Sequence, residues 1–329
     1  MHLNTKFPNI FSLDKVTLFE KTVFEVFRFQ YKNISVYHQF CNSINKTPLS
    51  VSSLNEIPFL PIDFFKTHRI ISEKSETQAI FGSSGTTGTT PSFHHVKDLS
   101  IYENSFKNTF QLFYGAPQDY CILALLPSYL ERNDSSLVYM VDKLMKLSKH
   151  PQNGFYKNDF HSLSNTLRTL ENRQQKTLLI GVSFALLDFA QQYPMPLNNT
   201  IIMETGGMKG RQEEITREEL HRILALAFQQ KNIHSEYGMT ELLSQAYSTG
   251  NGIFTPPPWM KILIRETYDP LQVGLTNKTG GINIIDLANY YSCSFIATQD
   301  LGKNLGNEKF EVLGRFDHSD IRGCNLLMN

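Results

Sequence analysis

The sequence predicts an α/β fold: a layered, mostly parallel sheet with flanking helices, followed by a small β-rich C-terminal subdomain. Two patterns predict this fold. Apolar strand-like runs alternate with amphipathic helical segments from about residue 98 to residue 237, and short strands with glycine turns replace that alternation beyond about residue 260. The 329 residues suffice for roughly two domains. We therefore expect an α/β core over residues 1–255 and a β-rich subdomain over residues 256–329.

Composition and charge argue against several classes of protein. The sequence has 31 basic and 31 acidic residues, and this zero net charge disfavours a nucleic-acid-binding protein. No apolar run is long enough to span a membrane, and the first residues lack the apolar stretch of a secretory signal, so we expect a cytoplasmic protein. The four cysteines are far apart and form no CxxC pair, which disfavours a zinc or redox site.

Local patterns predict the individual elements in chain order. The N-terminal part shows helical apolar spacing over residues 12–45 and a proline-interrupted, extended segment over residues 57–61. Helices are predicted at 98–114 (capped by Asp98 or Ser100), 135–147 (capped by Ser135 or Ser136), 160–173 and 213–231. Strands are predicted at 79–81, 121–126, 177–182, 200–203 and 233–237, and in the β-rich part at 261–264, 281–285 and 310–313.

A loop rich in serine, threonine and glycine follows the first predicted strand. The residues with ligand-binding potential are Ser83, Ser84, Gly85, Thr86, Thr87 and Gly88. Glycines let the backbone approach a ligand closely, and successive N–H groups and hydroxyls can surround phosphate oxygens. The loop lacks the Gly-Lys-Ser/Thr of a Walker A motif. A phosphate-binding loop of another type and a flexible surface linker both remain open at this point.

Two further turns follow predicted strands. Gly206 and Gly207 would let a planar ring lie against the backbone, although an ordinary strand-to-helix turn explains them equally well. The segment Tyr237-Gly238-Met239-Thr240-Glu241 offers an aromatic face, a hydroxyl and a carboxylate suited to Mg²⁺. Taken alone, this second turn is also compatible with a purely structural role.

The β-rich part contains two polar motifs, Gln299-Asp300-Leu301-Gly302 and Gly314-Arg315-Phe316-Asp317. A carboxylate such as Asp300 can accept hydrogen bonds from both hydroxyls of a ribose, and Arg315 could hold ribose or phosphate. Surface ion pairing is the alternative for each residue.

In this order and at these spacings, the five motifs resemble those of the adenylate-forming superfamily, which includes acyl-CoA synthetases, luciferases and the adenylation domains of peptide synthetases. The resemblance implies that a carboxylic acid is activated with ATP and Mg²⁺ as an acyl-adenylate, with release of pyrophosphate. Two positions depart from the superfamily pattern. Pro91-Ser92 stands where proline-lysine is usual after the loop, and Gln299 replaces the usual glycine before Asp300.

The resemblance also implies a role for each motif. In the α/β core, residues 83–88 would hold the phosphates, Gly206 and Gly207 would flank the adenine, Tyr237 with Gly238 would stack on it, Thr240 would contact the α-phosphate and Glu241 would bind Mg²⁺. In the β-rich part, Asp300 would take the ribose hydroxyls with Arg315 beside it. His94 and His95 follow the loop and are candidates to contact the substrate carboxylate, with surface histidines as the alternative.

Three longer segments narrow the resemblance to the LuxE family of acyl-protein synthetases. They are IPFLPIDFFKTH at 57–68, LALLPSYLERNDSSLVYMVDKLM at 123–145 and RGCNLL at 322–327. That family transfers the activated fatty acid to a cysteine near its own C-terminus, which implies Cys324 as the acyl acceptor; a small buried hydrophobe is the alternative role. Superfamily members usually continue beyond the Arg315 motif, so we expect a truncated N-terminal domain without the mobile C-terminal lid domain.

Three functions therefore compete. The favoured one is an acid–thiol ligase of the acyl-protein synthetase type, acting on a fatty or other carboxylic acid. The second is an acyl-CoA ligase similar to phenylacetate–CoA ligase, and the third is a non-catalytic nucleotide-binding subunit of an acyl-transfer assembly. An acyl reductase, an acyl carrier protein or CoA would be the acyl partner in such a system.

Overall fold

The computed structural model describes residues 8–13, 16–73, 75–84, 90–127, 131–206 and 215–316. They form an α/β fold in two compact units. The first unit comprises Met1–Phe64, Ile70–Lys74 and Pro258–Asn329, and the second comprises Phe65–Arg69 and Ser75–Pro257. The predicted fold class is confirmed, whereas the domain boundary at residue 256 stays a prediction. Over the ranges just given, no helix combines the length and the apolar character needed to cross a membrane.

The helices and strands are as follows. The α-helices are α1 (Val16–Asn33), α2 (Ser35–Ser43), α3 (Phe64–Thr67), α4 (Leu99–Tyr114), α5 (Ser136–Ser148), α6 (Phe160–Asn172), α7 (Ser183–Gln192) and α8 (Arg217–Phe228). The strands are β1 (Leu60–Pro61), β2 (Ala79–Gly82), β3 (Phe93–Val96), β4 (Cys121–Leu125), β5 (Gly154–Phe155), β6 (Thr177–Val182), β7 (Thr200–Thr205), β8 (His234–Tyr237), β9 (Ala246–Ser248), β10 (Ile253–Phe254), β11 (Met260–Arg265), β12 (Thr279–Asp286), β13 (Phe295–Gly306) and β14 (Lys309–Arg315).

The second unit is built on a sheet in the order β5-β4-β6-β7-β8-β9, which is parallel except for β9. Strand β4 is buried along its whole length, as its continuous apolar run predicts. Leucine, isoleucine and phenylalanine side chains from α6, α7 and α8 join those of β4, β6 and β7 in one core. This packing places the carboxyl ends of β7 and β8 side by side, because parallel neighbours end at the same edge of a sheet.

Polar capping residues mark the starts of helices α4, α5 and α8. The Asp98 carboxylate accepts a hydrogen bond from the Ser100 amide at 2.9 Å and starts α4, and the Ser135 hydroxyl accepts one from the Val138 amide at 3.4 Å and starts α5. Both predicted caps are confirmed. Helix α8 begins at Arg217, later than the predicted residue 213, because Thr216 is its capping residue.

Several elements of the second unit were not predicted: helix α7 and the strands β3, β5, β9 and β10. Helix α7 follows β6 directly, without a polar capping side chain that would mark its start. Strand β3 pairs antiparallel with β2, with Gly82 opposite Phe93, so the serine- and threonine-rich loop joins two hairpin strands. We expected only the first of these strands, because the sequence of β3, Phe-His-His-Val, carries no clear apolar alternation.

The first unit contains an antiparallel sheet in the order β14-β13-β12-β11, with β1 running parallel to β13. The predicted β-rich character of this part is confirmed, but its longest strand, β13, was not predicted. Helices α1 and α2 cover the sheet through aromatic contacts, with Phe27 and Tyr37 lying 6.0 and 5.8 Å from the Phe295 ring. Two of the sequence-predicted site residues, Asp300 and Arg315, lie in this sheet.

Candidate active site

The two ends of the serine- and threonine-rich loop are tied together in the second unit. The Ser83 amide donates to the Ser92 carbonyl at 3.0 Å, and the Ser92 amide donates to the Ser83 hydroxyl at 2.9 Å. Ser83 is half-buried and Ser84 is exposed. The loop therefore starts and ends at one point, beside the end of strand β2.

The turn after β8 reaches this same point. The Ser92 hydroxyl donates a short hydrogen bond to the Glu241 carboxylate, which is 7% exposed. Residues 238–241 form a turn and no helix, with the Leu242 amide donating to the Met239 carbonyl at 3.1 Å. The predicted phosphate-binding segment and the predicted Mg²⁺ ligand are thus in contact through Ser92.

His94 holds the neighbouring residue of this turn. Its Nδ1 atom lies 2.9 Å from the Thr240 carbonyl oxygen, so Nδ1 carries the proton and donates it. The side chain is fully buried, and its ring meets the Phe65 ring edge-on at 5.6 Å. Burial lowers the pKa of His94 to about 4, which keeps the imidazole neutral. His94 is therefore no surface histidine, and it supports the backbone of Thr240.

Tyr237 is the last residue of β8, and Gly206 directly follows the end of the neighbouring strand β7. The Tyr237 side chain is buried, and its ring packs against the Phe254 ring at 5.9 Å. Gly206 has a φ of +73° and open space around its α-carbon, so the chain turns there in a conformation that favours glycine. The Ser183 hydroxyl fixes this turn by donating to the Gly206 carbonyl at 3.0 Å.

Sequence reasoning missed a buried acidic cluster behind these turns. Glu236 on β8 is buried and accepts a short hydrogen bond from the Thr205 hydroxyl on β7. Burial, reinforced by the nearby Glu204 charge, raises the pKa of Glu236 to about 7. The sequence signal for this cluster is a glutamate within a strand that is predicted to be buried.

Glu204, the second acid of this cluster, has cationic partners on α8. Arg217 Nε lies 3.0 Å and His221 Nε2 lies 3.6 Å from Glu204 Oε1. Burial raises the pKa of Glu204, but the hydrogen bond of His221 and the charge of Arg217 outweigh it, so the pKa lies below its usual value. The Arg217 guanidinium also lies 5.2 Å from the Phe254 ring centroid, on which Tyr237 packs.

In the first unit, Asp300 and Arg315 are directly opposite each other on β13 and β14. Arg315 Nε lies 3.2 Å from Asp300 Oδ1, with the arginine exposed and the aspartate buried. Gln299 is held by Asp63, whose Oδ2 accepts from Gln299 Nε2 at 2.6 Å. The two predicted ribose ligands are therefore paired with each other.

Six of the predicted site residues lie outside the described residues: Gly85, Thr86, Thr87, Gly88, Gly207 and Cys324. Their roles stay predictions. The other predicted site residues of the second unit group around the ends of β7 and β8 and the loop ends.

The donor set at Glu241 fits Mg²⁺. Among the described residues there is no group of three or more His, Cys, Asp or Glu side chains able to hold a metal ion. Mg²⁺ does not need such a group, since it binds one or two carboxylates together with substrate phosphates and water. The buried Glu241 carboxylate with the Ser92 hydroxyl beside it supplies hard oxygen ligands of this kind.

Comparison with known sequences shows similarity to one family over part of the chain. A family model described as acyl-protein synthetase, LuxE, matches residues 7–128, a span that includes the loop between β2 and β3. A long-chain-fatty-acid–luciferin-component ligase of Photorhabdus luminescens is 33% identical over 70 residues. That match covers 21% of this chain and 60% of the relative. The motifs after β8 lie beyond the span that the family model matches.

Solved structures share the fold. A 2-hydroxyisobutyryl-CoA ligase in complex with 2-HIB-AMP and CoA superposes with a TM-score of 0.69 at 11% identity, covering 93% of this chain and 70% of the ligase. ATP-bound MatB from Rhodopseudomonas palustris gives a TM-score of 0.57 at 14% identity, covering 73% of this chain and 48% of MatB. This chain thus spans about half the length of MatB. Residues 7–128 are thus similar in sequence to the acyl-protein synthetase family, LuxE, and the chain shares its fold with 2-hydroxyisobutyryl-CoA ligase and MatB.

Proposed function

We propose that this protein activates a carboxylic acid, a fatty acid by preference, with ATP as an acyl-adenylate and then transfers the acyl group to a thiol. The contact between Ser92 and Glu241 carries the proposal, because it joins the end of the loop to the turn after β8. The match of residues 7–128 to acyl-protein synthetases supports the same reaction class.

In the first step, a carboxylate oxygen of the substrate attacks the α-phosphorus of ATP. A P–O bond forms, the bond from the α-phosphorus to the bridging oxygen breaks, and pyrophosphate leaves. Glu241 would hold Mg²⁺, which when bound neutralises phosphate charge. The Ser83 end of the loop and the Thr240 turn would orient the phosphates. No base is required, since the attacking carboxylate is already ionised at neutral pH.

In the second step, a thiolate attacks the acyl carbon and AMP leaves. Three of the four cysteines are poor acceptors, because Cys41, Cys121 and Cys293 are all buried. Burial raises the pKa of Cys41 and of Cys121 to about 12, and that of Cys293 further above its usual value. The burial of these three supports Cys324 as the acceptor, the role that the resemblance to the LuxE family implies.

Intact-protein mass spectrometry tests the proposal. The wild type and Cys324→Ser would be incubated with MgATP and fatty acids of increasing chain length, with pyrophosphate release measured in parallel. We expect a hydroxylamine-labile acyl adduct on the wild type, no adduct on the variant and pyrophosphate release by both.

Other results would change the assignment. Pyrophosphate release without an adduct on either protein would mean that the acceptor is another molecule, and thioester on added CoA or a carrier protein would identify it. An absence of pyrophosphate with every acid tested would contradict the ligase reaction and favour a nucleotide-binding subunit.

A further inference from the structure

Ser92 makes three contacts that together join two parts of the candidate site. Its amide and carbonyl pair with the hydroxyl and amide of Ser83, and its own hydroxyl donates to Glu241. Ser92 is 2% exposed, so its hydroxyl is fixed within the protein. A hydroxyl rotating in solvent would not hold a carboxylate in one orientation.

A serine at this place has a different electrostatic effect from a cationic residue. The hydroxyl is neutral, so it holds one oxygen of Glu241 in place without adding a compensating positive charge. The serine oxygen also keeps lone pairs that a hard cation can use. A lysine ammonium has no lone pair, and it would neutralise the same carboxylate.

We propose that Ser92 is a positioning residue that presents Glu241 to a divalent cation and makes nucleotide binding depend on that cation. This inference rests on the proposed function, because it takes Glu241 to be the Mg²⁺ ligand. The serine oxygen lies beside the carboxylate oxygen it orients, so a cation at Glu241 would meet both. Because position 92 has no lysine, neutralisation of the triphosphate charge near the loop end would depend on the cation.

Direct binding measurements test the inference without turnover. Mn²⁺ serves as the paramagnetic probe for the Mg²⁺ site, and α,β-methylene-ATP serves as the uncleaved nucleotide. The proteins are the wild type, Ser92→Ala, Ser92→Thr, Ser92→Lys and Glu241→Gln. Ser164→Ala, an equally buried serine on α6, is the matched control. Electron paramagnetic resonance gives Mn²⁺ affinity in the presence of nucleotide, and calorimetry gives nucleotide affinity with and without metal.

We expect Ser92→Ala to weaken Mn²⁺ binding several-fold, and Ser92→Thr to stay within about twofold of the wild type because it keeps the hydroxyl. Ser92→Lys should weaken Mn²⁺ binding about tenfold or more and strengthen metal-free nucleotide binding. Ser164→Ala should bind like the wild type. If the lysine variant does not fold, judged by circular dichroism, the alanine and threonine variants decide.

The experiment distinguishes a failure of the inference about Ser92 from a failure of the metal assignment in the proposed function. If Glu241→Gln loses Mn²⁺ binding while Ser92→Ala binds it like the wild type, the inference about Ser92 is overturned and the metal assignment stands. If Glu241→Gln binds Mn²⁺ like the wild type, the metal assignment in the proposed function is overturned, and the inference falls with it.

Discussion

At the scale of single residues, the buried carboxyl of Glu236 is the most unusual group of the second unit. The titratable groups around it are Glu204 on β7, Tyr102 and Tyr114 on α4 and Tyr247 on β9. Burial raises the pKa values of the three tyrosines, so all three are neutral at physiological pH. Glu236 therefore has no cation to compensate its charge among the groups that shift its pKa.

Replacing Glu236 with glutamine should make the protein less sensitive to pH. The pKa of Glu236 rises from 4.5 to about 7 on folding, so the folded state holds a proton that the unfolded state releases in this range. As the pH rises from 4.5 to 7, the unfolding free energy of the wild type should therefore fall, relative to that of the variant, by up to about 1.4 kcal/mol per pH unit. Urea unfolding at a series of pH values measures this difference. A variant that is less stable than the wild type at pH 8 would contradict the argument, and Glu218→Gln, an exposed position on α8, is the control.

Cysteine reactivity gives a second prediction at this scale. Cys41, Cys121 and Cys293 are buried with raised pKa values, so a thiol reagent should not label them in the native protein. We expect at most one fast-reacting thiol at pH 8 and all four after denaturation. Two or more fast thiols in the native wild type would remove the basis for choosing Cys324 as the acceptor.

At the scale of elements, Arg265 ties three strands of the first unit together. From β11 it donates to the Ile282 carbonyl at 2.9 Å on β12 and to the Thr298 carbonyl on β13. Its guanidinium lies 5.4 Å from the Phe316 ring centroid and occupies the space that a β-carbon on Gly281 would need. Position 281 therefore requires glycine because the Arg265 side chain fills the adjacent space. Its backbone conformation is extended and does not itself require glycine.

Replacing Arg265 with methionine should destabilise this sheet. The variant leaves strand carbonyls buried without their donors, which costs about 1–3 kcal/mol. Urea unfolding measures the loss, and Arg168→Met on the exposed side of α6 is the matched control. Equal stability of the two variants would show that the Arg265 hydrogen bonds are replaced by other donors.

At the scale of the whole molecule, ligand binding should stabilise the folded chain. If ATP binds with Mg²⁺ at Glu241, saturation at about 100 times the dissociation constant adds about 2.7 kcal/mol to the unfolding free energy. We expect thermal unfolding of the wild type to shift upward with MgATP, and that of Glu241→Gln to shift much less. A shift that is equal with and without Mg²⁺ would contradict the metal dependence.

The sequence alone predicted the α/β class, the buried strands of the second unit and the caps of α4 and α5, and it contains the motifs on which the candidate site is proposed. These features are local: an apolar run, a capping side chain or a glycine turn is read within a few neighbouring residues. Tertiary structure decided the rest. It placed Ser92 on Glu241, 149 residues away in sequence, buried Glu236 beside Thr205, and grouped helices α1 and α2 with the β-rich unit. Such pairings depend on which strands become neighbours, and local periodicity carries no information about that choice.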